Sequence, residues 1–195
     1  MPATAGNLQW APMTRSTKEQ LAAGISHVFE SPLDNGRLEK IFVRPRKRER
    51  LECDQAVLSP REGILGDNWL SENWLFLADG SPDPRNQVSL MNLRVLQLVA
   101  GDGDSLSLAG DNLIVDMDLG RTNLPVGQIL AVGGALLEVT GVPHLGCKSF
   151  AERYGKEAVS FVNSREGKRH RLRGVYARIV QGGSVAIGDI VRKAM

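Results

Sequence analysis

Two cysteines, Cys53 and Cys147, and three histidines, His27, His144 and His170, are the thiol and imidazole groups of this chain of 195 residues. Cys147 stands in the run Gly141-Val142-Pro143-His144-Leu145-Gly146-Cys147-Lys148, directly after the strand-like Ala135-Leu136-Leu137-Glu138-Val139-Thr140. A thiol at the end of a strand is held by a rigid element yet lies near the surface, where binding and catalytic groups concentrate. Pro143 breaks the strand, and Gly146 lets another group approach the backbone closely. Lys148 and His144 bring positive charge that favours thiolate over thiol. A thiolate so placed attacks an electrophile, carries sulfur as a persulfide or binds a soft metal. The competing reading is plain packing, because a free cysteine is also a small buried hydrophobe.

Positive charge gathers in two places, Arg44, Arg46, Lys47, Arg48 and Arg50, and then Lys168, Arg169, His170, Arg171 and Arg173. The first group reads as the solvated face of a hairpin. In the second, a strand over 171–180 would put Arg173 on the face of Val175, Ala177 and Ile179, turning its guanidinium to the buried side. A buried guanidinium needs an anionic partner, either an internal carboxylate or the phosphate or oxyanion of a ligand. Gly66-Asp67, Gly110-Asp111 and Gly188-Asp189 read as turns. Asp67 and Asp111-Asn112 are also the groups that the rim of a barrel would aim at a ligand. Trp10, Trp69 and Trp74 read as packing or loop anchors, with Trp69 the one near the suspected site. The chain has no P-loop, dinucleotide fingerprint, His-Glu-x-x-His helix, Gly-x-Ser-x-Gly elbow or Cys-x-x-Cys pair. Its few histidines and distant cysteines argue against a closed structural zinc site.

The elements that must position these groups follow from pattern. Ser16-Thr17-Lys18-Glu19 reads as a capping box opening a helix over 20–29. Asp34-Asn35-Gly36 is a turn, 38–43 is a strand, and Pro45 to Arg48 turns the chain into a second strand ending near Leu58, as a hairpin. Gly63 to Asp67 is a glycine-bracketed loop and 79–86 is irregular. Order resumes with a strand over 87–91 and a buried helix over 92–100, which Gly101 ends. Short strands over 112–115, 129–132 and 135–140 suit a sheet that curls on itself. A helical pair, 149–154 and 156–163, follows Cys147, and a hairpin over 182–191 closes the chain.

Apolar residues make up 42% and charged residues 24%, the profile of an ordinary folded domain. The expected organisation is a lead-in and helix over 1–35, then one domain over 36–193. The first fifteen residues lack the apolar core of a signal peptide, no apolar stretch is long enough to span a bilayer, and two cysteines do not make a disulfide framework. A cytoplasmic protein with free thiols is the expectation. The formal net charge of +2 and an aromatic content of 5% disfavour nucleic acid as a partner.

In order along the chain, Gly63-x-x-Gly66-Asp67, Gln87-Val88-Ser89-Leu90, Gly110-Asp111-Asn112-Leu113, Leu124-Pro125-Val126-Gly127, Pro143 to Cys147, Arg173-Gly174-Val175-Tyr176-Ala177-Arg178 and Gly183-x-Val185-x-x-Gly188-Asp189 resemble the MOSC domain, the module named for the C-terminal part of molybdenum cofactor sulfurases. The resemblance spans about residues 36–193. It implies a mainly β, barrel-like fold with several flanking short helices. It implies that Cys147 carries sulfur as a persulfide or ligates the molybdenum of the pterin cofactor, and that Arg173 and Asn112, with Asp67, Lys148 and His144, hold that anionic cofactor or order its site. The larger sulfurases carry a pyridoxal-phosphate-dependent desulfurase domain ahead of this module. This chain lacks one, so pyridoxal phosphate is not expected here, and sulfur or finished cofactor would come from a partner such as a cysteine desulfurase. An electron-transfer partner would serve the alternative that the wider family implies, a molybdenum-dependent reductase of N-hydroxylated compounds. The sequence departs from the family pattern where Asn68-Trp69 follows Gly66-Asp67 and where Asp111 stands in place of a common Glu.

Overall fold

Alternation of apolar side chains along seven strands builds a closed barrel. The computed structural model describes residues 15–100 and 104–194. The strands are β1 (Gly36–Val43), β2 (Leu51–Cys53), β3 (Gln55–Ser59), β4 (Gly63–Ile64), β5 (Val88–Asn92), β6 (Leu113–Asp116), β7 (Ile129–Val132), β8 (Ala135–Val139), β9 (Val175–Gln181), β10 (Gly183–Ala186) and β11 (Ile190–Ala194). The order β11-β7-β8-β9-β5-β6-β1 closes because β11 also pairs with β1, and β2 extends the sheet from β1. All pairings are antiparallel except β5 with β6. Closure leaves these seven strands without an exposed edge. A small second sheet, β10-β3-β4, lies alongside.

Successive side chains on a strand point to opposite faces. Ile41, Leu90, Leu113, Val115, Val175, Ala177 and Ile179 therefore fill the barrel interior. Their neighbours Phe42, Met91 and Ile114 turn outward into a second apolar cluster under the helices. Those helices are α1 (Lys18–Phe29), α2 (Trp69–Glu72), α3 (Leu93–Ala100), α4 (Lys148–Asn163) and α5 (Arg165–Arg169). Leu21 and Val28 of α1, Leu96 and Val99 of α3, and Phe150, Ala158 and Val162 of α4 complete this outer core.

Several elements differ from the sequence reading for local reasons. The capping box of α1 is Thr17 with Gln20, one residue later than expected. Ser16 instead donates its hydroxyl to the Leu98 carbonyl at 2.7 Å, tying the helix start to α3. The second strand, expected after Pro45 to Arg48, breaks at Asp54, so β2 stays with β1 while β3 leaves for the second sheet. The closing strands do not form a hairpin: β10 pairs with β3, and β11 with β7 and β1. Gly101 and Trp10 lie outside the described residues.

The helical pair after Cys147 is present, because α4 breaks at Gly155 (φ 93, ψ 167). A straight helix of 16 residues would carry its ends about 24 Å apart. Instead Asn163, its last residue, hydrogen-bonds Gly146, just before its start. The left-handed conformation that folds the helix back is one glycine reaches without steric penalty. Gly174 does a second job of this kind. It sits at φ 102 before β9, and a Cβ there would lie 2.1 Å from the Leu90 carbonyl oxygen. Gly174→Ala is therefore expected to lower stability by about 2 kcal/mol or more, read as a lower denaturant midpoint with unchanged slope.

Candidate functional site

The side chains that turn outward from the barrel wall, beneath α4, are where charge concentrates. Phe42 faces the outer core, so Arg44, two residues on, continues that outer face just beyond β1. Its guanidinium grips Asp67 in two hydrogen bonds, Nε to Oδ2 at 2.9 Å and Nη2 to Oδ1 at 2.8 Å. Asp67 also accepts from the Arg44 and Trp69 backbone N–H groups and from Asn112 Nδ2. Asn112, fully buried, takes the Ser89 N–H and hydroxyl on its oxygen and donates to Phe42 O as well as to Asp67. Asp67 and Asn112 are thus in direct contact. Their polar atoms are spent on stitching β1, β5 and β6 to the 63–69 loop, so they order the site from behind.

Arg173 is buried, but by a different route from the one the sequence predicted. Strand β9 starts only at Val175, and the positive φ of Gly174 separates Arg173 from the inward face of Val175, Ala177 and Ile179. The guanidinium therefore runs along the outer face of β5, where Nη1 meets Met91 Sδ at 3.7 Å. Nη1 also donates to Asp111 Oδ2 at 2.6 Å, Nη2 donates to Ala109 O at 3.0 Å, and the Phe150 ring lies 4.8 Å from the guanidinium carbon. The anionic partner of Arg173 is thus an internal carboxylate. Full burial pushes the Asp111 carboxyl up, against the pull of the Arg173 charge and hydrogen bond.

Two further cations crowd this pair. Gly110 Cα faces the guanidinium nitrogens of Arg50 and Arg153, which a Cβ at that glycine would meet at 3.1 and 3.5 Å. Arg153 Nη1 donates to Leu108 O. Burial, then the charges of Arg153 and Arg44, push Arg50 down to about 10. Four guanidinium groups, Arg44, Arg50, Arg153 and Arg173, therefore face two carboxylates, Asp67 and Asp111, and positive charge is in excess. Four buried polar atoms there lack a hydrogen-bond partner: Arg50 Nε, Arg173 Nε, Asp111 Oδ1 and His144 Nδ1. Buried polar groups are normally satisfied, so four orphans in one cluster call for an explanation.

His144 approaches Asp111 Oδ1 with Nε2 at 3.6 Å, and its ring stacks on Tyr176 at 4.2 Å between centroids. Burial first, then the Arg173 and Arg44 charges, hold its pKa well below the ordinary value. His144 is therefore neutral and does not supply the positive charge expected beside Cys147. Lys148 is exposed and lines a groove with Arg15, Glu152, Tyr154 and Glu157. A pocket of about 80 Å³ behind the 140–145 loop, lined also by Arg121, Lys168 and Arg171, has room for a few waters but not for a cofactor body.

Cys147 itself is exposed, which removes the reading of a packed core thiol. It is the N-cap residue of α4, and its side chain makes no capping bond. Phe150 and Tyr154, three and seven residues on, share its helix face and pack in the outer core against the guanidinium cluster. Cys147 thus occupies the exposed end of the face whose buried part contacts Arg173. Cys53 is the other free thiol. Among the described residues no group of three or more His, Cys, Asp or Glu is placed to hold a metal ion.

A family model for the MOSC domain matches residues 83–192. The chain belongs to the MOSC domain family. Among solved structures, the YuaD protein from Bacillus subtilis is 21% identical with a TM-score of 0.58, over 80% of this chain and 93% of that one. YiiM from Geobacillus stearothermophilus is 14% identical with a TM-score of 0.58, over 82% and 75%. YiiM from Escherichia coli is 16% identical with a TM-score of 0.52, over 82% and 70%. These likenesses show that the MOSC fold is shared. No curated protein matches the sequence.

Arg44, Arg50, Arg153 and Tyr176 belong to the site of this MOSC protein although sequence reasoning passed over them as site residues. Arg44 was legible in principle, through its even spacing from Phe42. Trp69 is an anchor as expected, buried with Nε1 on Asn86 Oδ1. Trp74, however, is 60% exposed and lies 6.2 Å from the Tyr176 ring, so it too borders the site.

The neutral state of His144 has a thermodynamic consequence. Its folded pKa lies below its unfolded value of about 6.5, so on acidification the unfolded chain binds a proton that the folded chain refuses. Stability contributed by neutral His144 is present above that value and is lost as pH falls. Denaturant titrations at pH 7 and pH 5.5 are expected to show His144→Gln losing about 1 kcal/mol less than the parent over this interval.

Proposed function

We propose that this MOSC protein binds a molybdopterin-type cofactor through the cofactor's anionic phosphate and uses Cys147 as the thiolate that meets its metal or carries its sulfur. The observation that carries this reading is the excess of guanidinium groups, with buried N–H donors left unpartnered at Arg50 Nε and Arg173 Nε, beneath the helix that Cys147 caps. Oriented guanidinium donors suit phosphate, and an exposed thiolate suits a soft metal such as molybdenum. The residues present therefore fit the group. When bound, the cofactor supplies a redox-active metal centre.

The chain's own residues do the rest. Arg50 and Arg173 hold the anion, Asp111 fixes the Arg173 fork, and Asp67 with Asn112 sets Arg44. His144, neutral, offers Nδ1 as a hydrogen-bonding edge without adding charge. As a sulfur carrier, the Cys147 thiolate attacks the outer sulfur of a donor's persulfide. A new S–S bond forms as the donor's S–S bond breaks, the donor leaves as thiolate, and no oxidant is consumed. A cysteine desulfurase is the kind of partner that supplies such a donor, and pyridoxal phosphate belongs to that partner.

Protein produced in a cofactor-competent host is to be assayed for molybdenum and pterin, with intact mass recorded before and after reduction. The expected result is bound molybdenum and pterin, or a sulfur adduct on Cys147 that reductant removes, with either signal reduced at least about tenfold in Cys147→Ser, as fits loss of a soft thiolate ligand. Absence of metal, pterin and adduct, or signals unchanged in Cys147→Ser, would contradict it.

A further inference from the structure

The loop that delivers Cys147 is fastened by one side chain from the far end of the same helix. Asn163 Oδ1 accepts from the Gly146 N–H at 2.8 Å, and Asn163 Nδ2 donates to the Gly146 carbonyl at 2.8 Å. Both polar groups of the residue before the thiol are thus satisfied by a single amide, in the manner of a strand neighbour. Position 146 is tight for a side chain: a Cβ would lie 3.0 Å from Val162 Cγ2, which would have to shift, and 3.5 Å from both Asn163 amide atoms. Val162 is itself buried in the outer core, so the anchor is fixed. The break at Gly155 is what returns Asn163 to the start of the helix.

We propose that Asn163 is a positioning residue, whose amide clamps Gly146 and so sets the direction of the Cys147 thiol relative to the guanidinium cluster of Arg173, Arg50 and Arg153. The proposal rests on the reading of Cys147 as the acting thiol and adds the device that aims it. The two hydrogen bonds remove the rotational freedom of the peptide that leads into Cys147. The side chain of Cys147 makes no capping bond of its own, so its direction depends on the backbone that carries it. Only a group with one donor and one acceptor at amide spacing completes both bonds. An asparagine ending a helix for purely local reasons would cap its own helix carbonyls, whereas this side chain reaches 17 residues back along the chain.

The test compares alkylation of Cys147 by iodoacetate and by iodoacetamide in a Cys53→Ser background, so that a single thiol reacts. A thiol aimed along a cationic site reacts faster with the anionic reagent, by a factor on the order of ten relative to a free small-molecule thiol, and raised salt suppresses the preference. Asn163→Ala is expected to bring the ratio to that of the free thiol and to speed exchange of the Gly146 amide proton, with the fold retained by circular dichroism. Asn163→Asp keeps the acceptor and loses the donor, and a protonated carboxyl restores it. Its Gly146 amide resonance is therefore expected to move toward the parent position on acidification through the carboxylate range. An unchanged reagent ratio and unchanged Gly146 exchange in Asn163→Ala would overturn the positioning role. A parent protein with no preference for iodoacetate would instead overturn the placement of Cys147 at the cationic site, while the Gly146 exchange and the Asn163→Asp titration still decide the clamp. Should Asn163→Ala fail to fold, Asn163→Asp carries the same comparison.

Discussion

The ion pair between Asp111 and Arg173 is the contact on which the rest of this site depends. Moving two charges out of water costs several kcal/mol per ion, offset here by a 2.6 Å bond, a second bond to Ala109 O and the face of Phe150. The pair also has topological reach. Asp111 precedes β6, Arg173 precedes β9, β5 lies between them, and Phe150 belongs to the helix that Cys147 begins. One side chain thus ties three barrel strands to the element bearing the thiol. Removing either partner would leave the other charge buried and uncompensated.

Satisfaction of that pair is incomplete, and the incompleteness is informative. Asp111 Oδ1 and Arg173 Nε have no partner, and burial and the charges of its neighbours push the added Arg50 guanidinium down to about 10, so it stays charged at neutral pH. A cluster serving stability alone would match its charges or replace them with apolar groups, which is commonly neutral or stabilising. Excess like charge beneath a helix is a feature that a bound anion relieves. The neighbouring Asp67 and Asn112 are saturated by contrast, and with Arg44 paired to Asp67 they hold the wall against which the unsaturated groups are set.

The barrel was legible in the sequence because alternation and glycine turns are local signals. So was the pair of short helices after Cys147, since Gly155 sits where the apolar pattern restarts. Less legible was anything decided by long-range pairing. Nothing local says that β10 and β11 separate to different partners, or that Arg173 enters the outer core and not the barrel interior. The need of a buried Arg173 for an anion followed from residue type, but its burial was expected from a strand face that it does not occupy, and the choice of Asp111 required the fold. Arg44 and Arg50 were read as solvated because they flank the exposed Arg46, Lys47 and Arg48. Charge runs average over faces, and only the strand register separates the two inward members. His144 was read as a cation from its residue type, whereas its burial among arginines makes it neutral.

The central claim is that the guanidinium cluster is a receptor for an anionic group and not a structural ion network. Calorimetric titration of inorganic pyrophosphate onto the protein at low and moderate salt, compared with Arg50→Leu, tests it most directly. The account predicts one site, weakened as salt rises and lost in Arg50→Leu, a variant that relieves the repulsion of Arg50 by Arg153 and Arg44 and is expected to keep the parent's denaturant midpoint. No binding by the parent, or equal binding by Arg50→Leu, would contradict it.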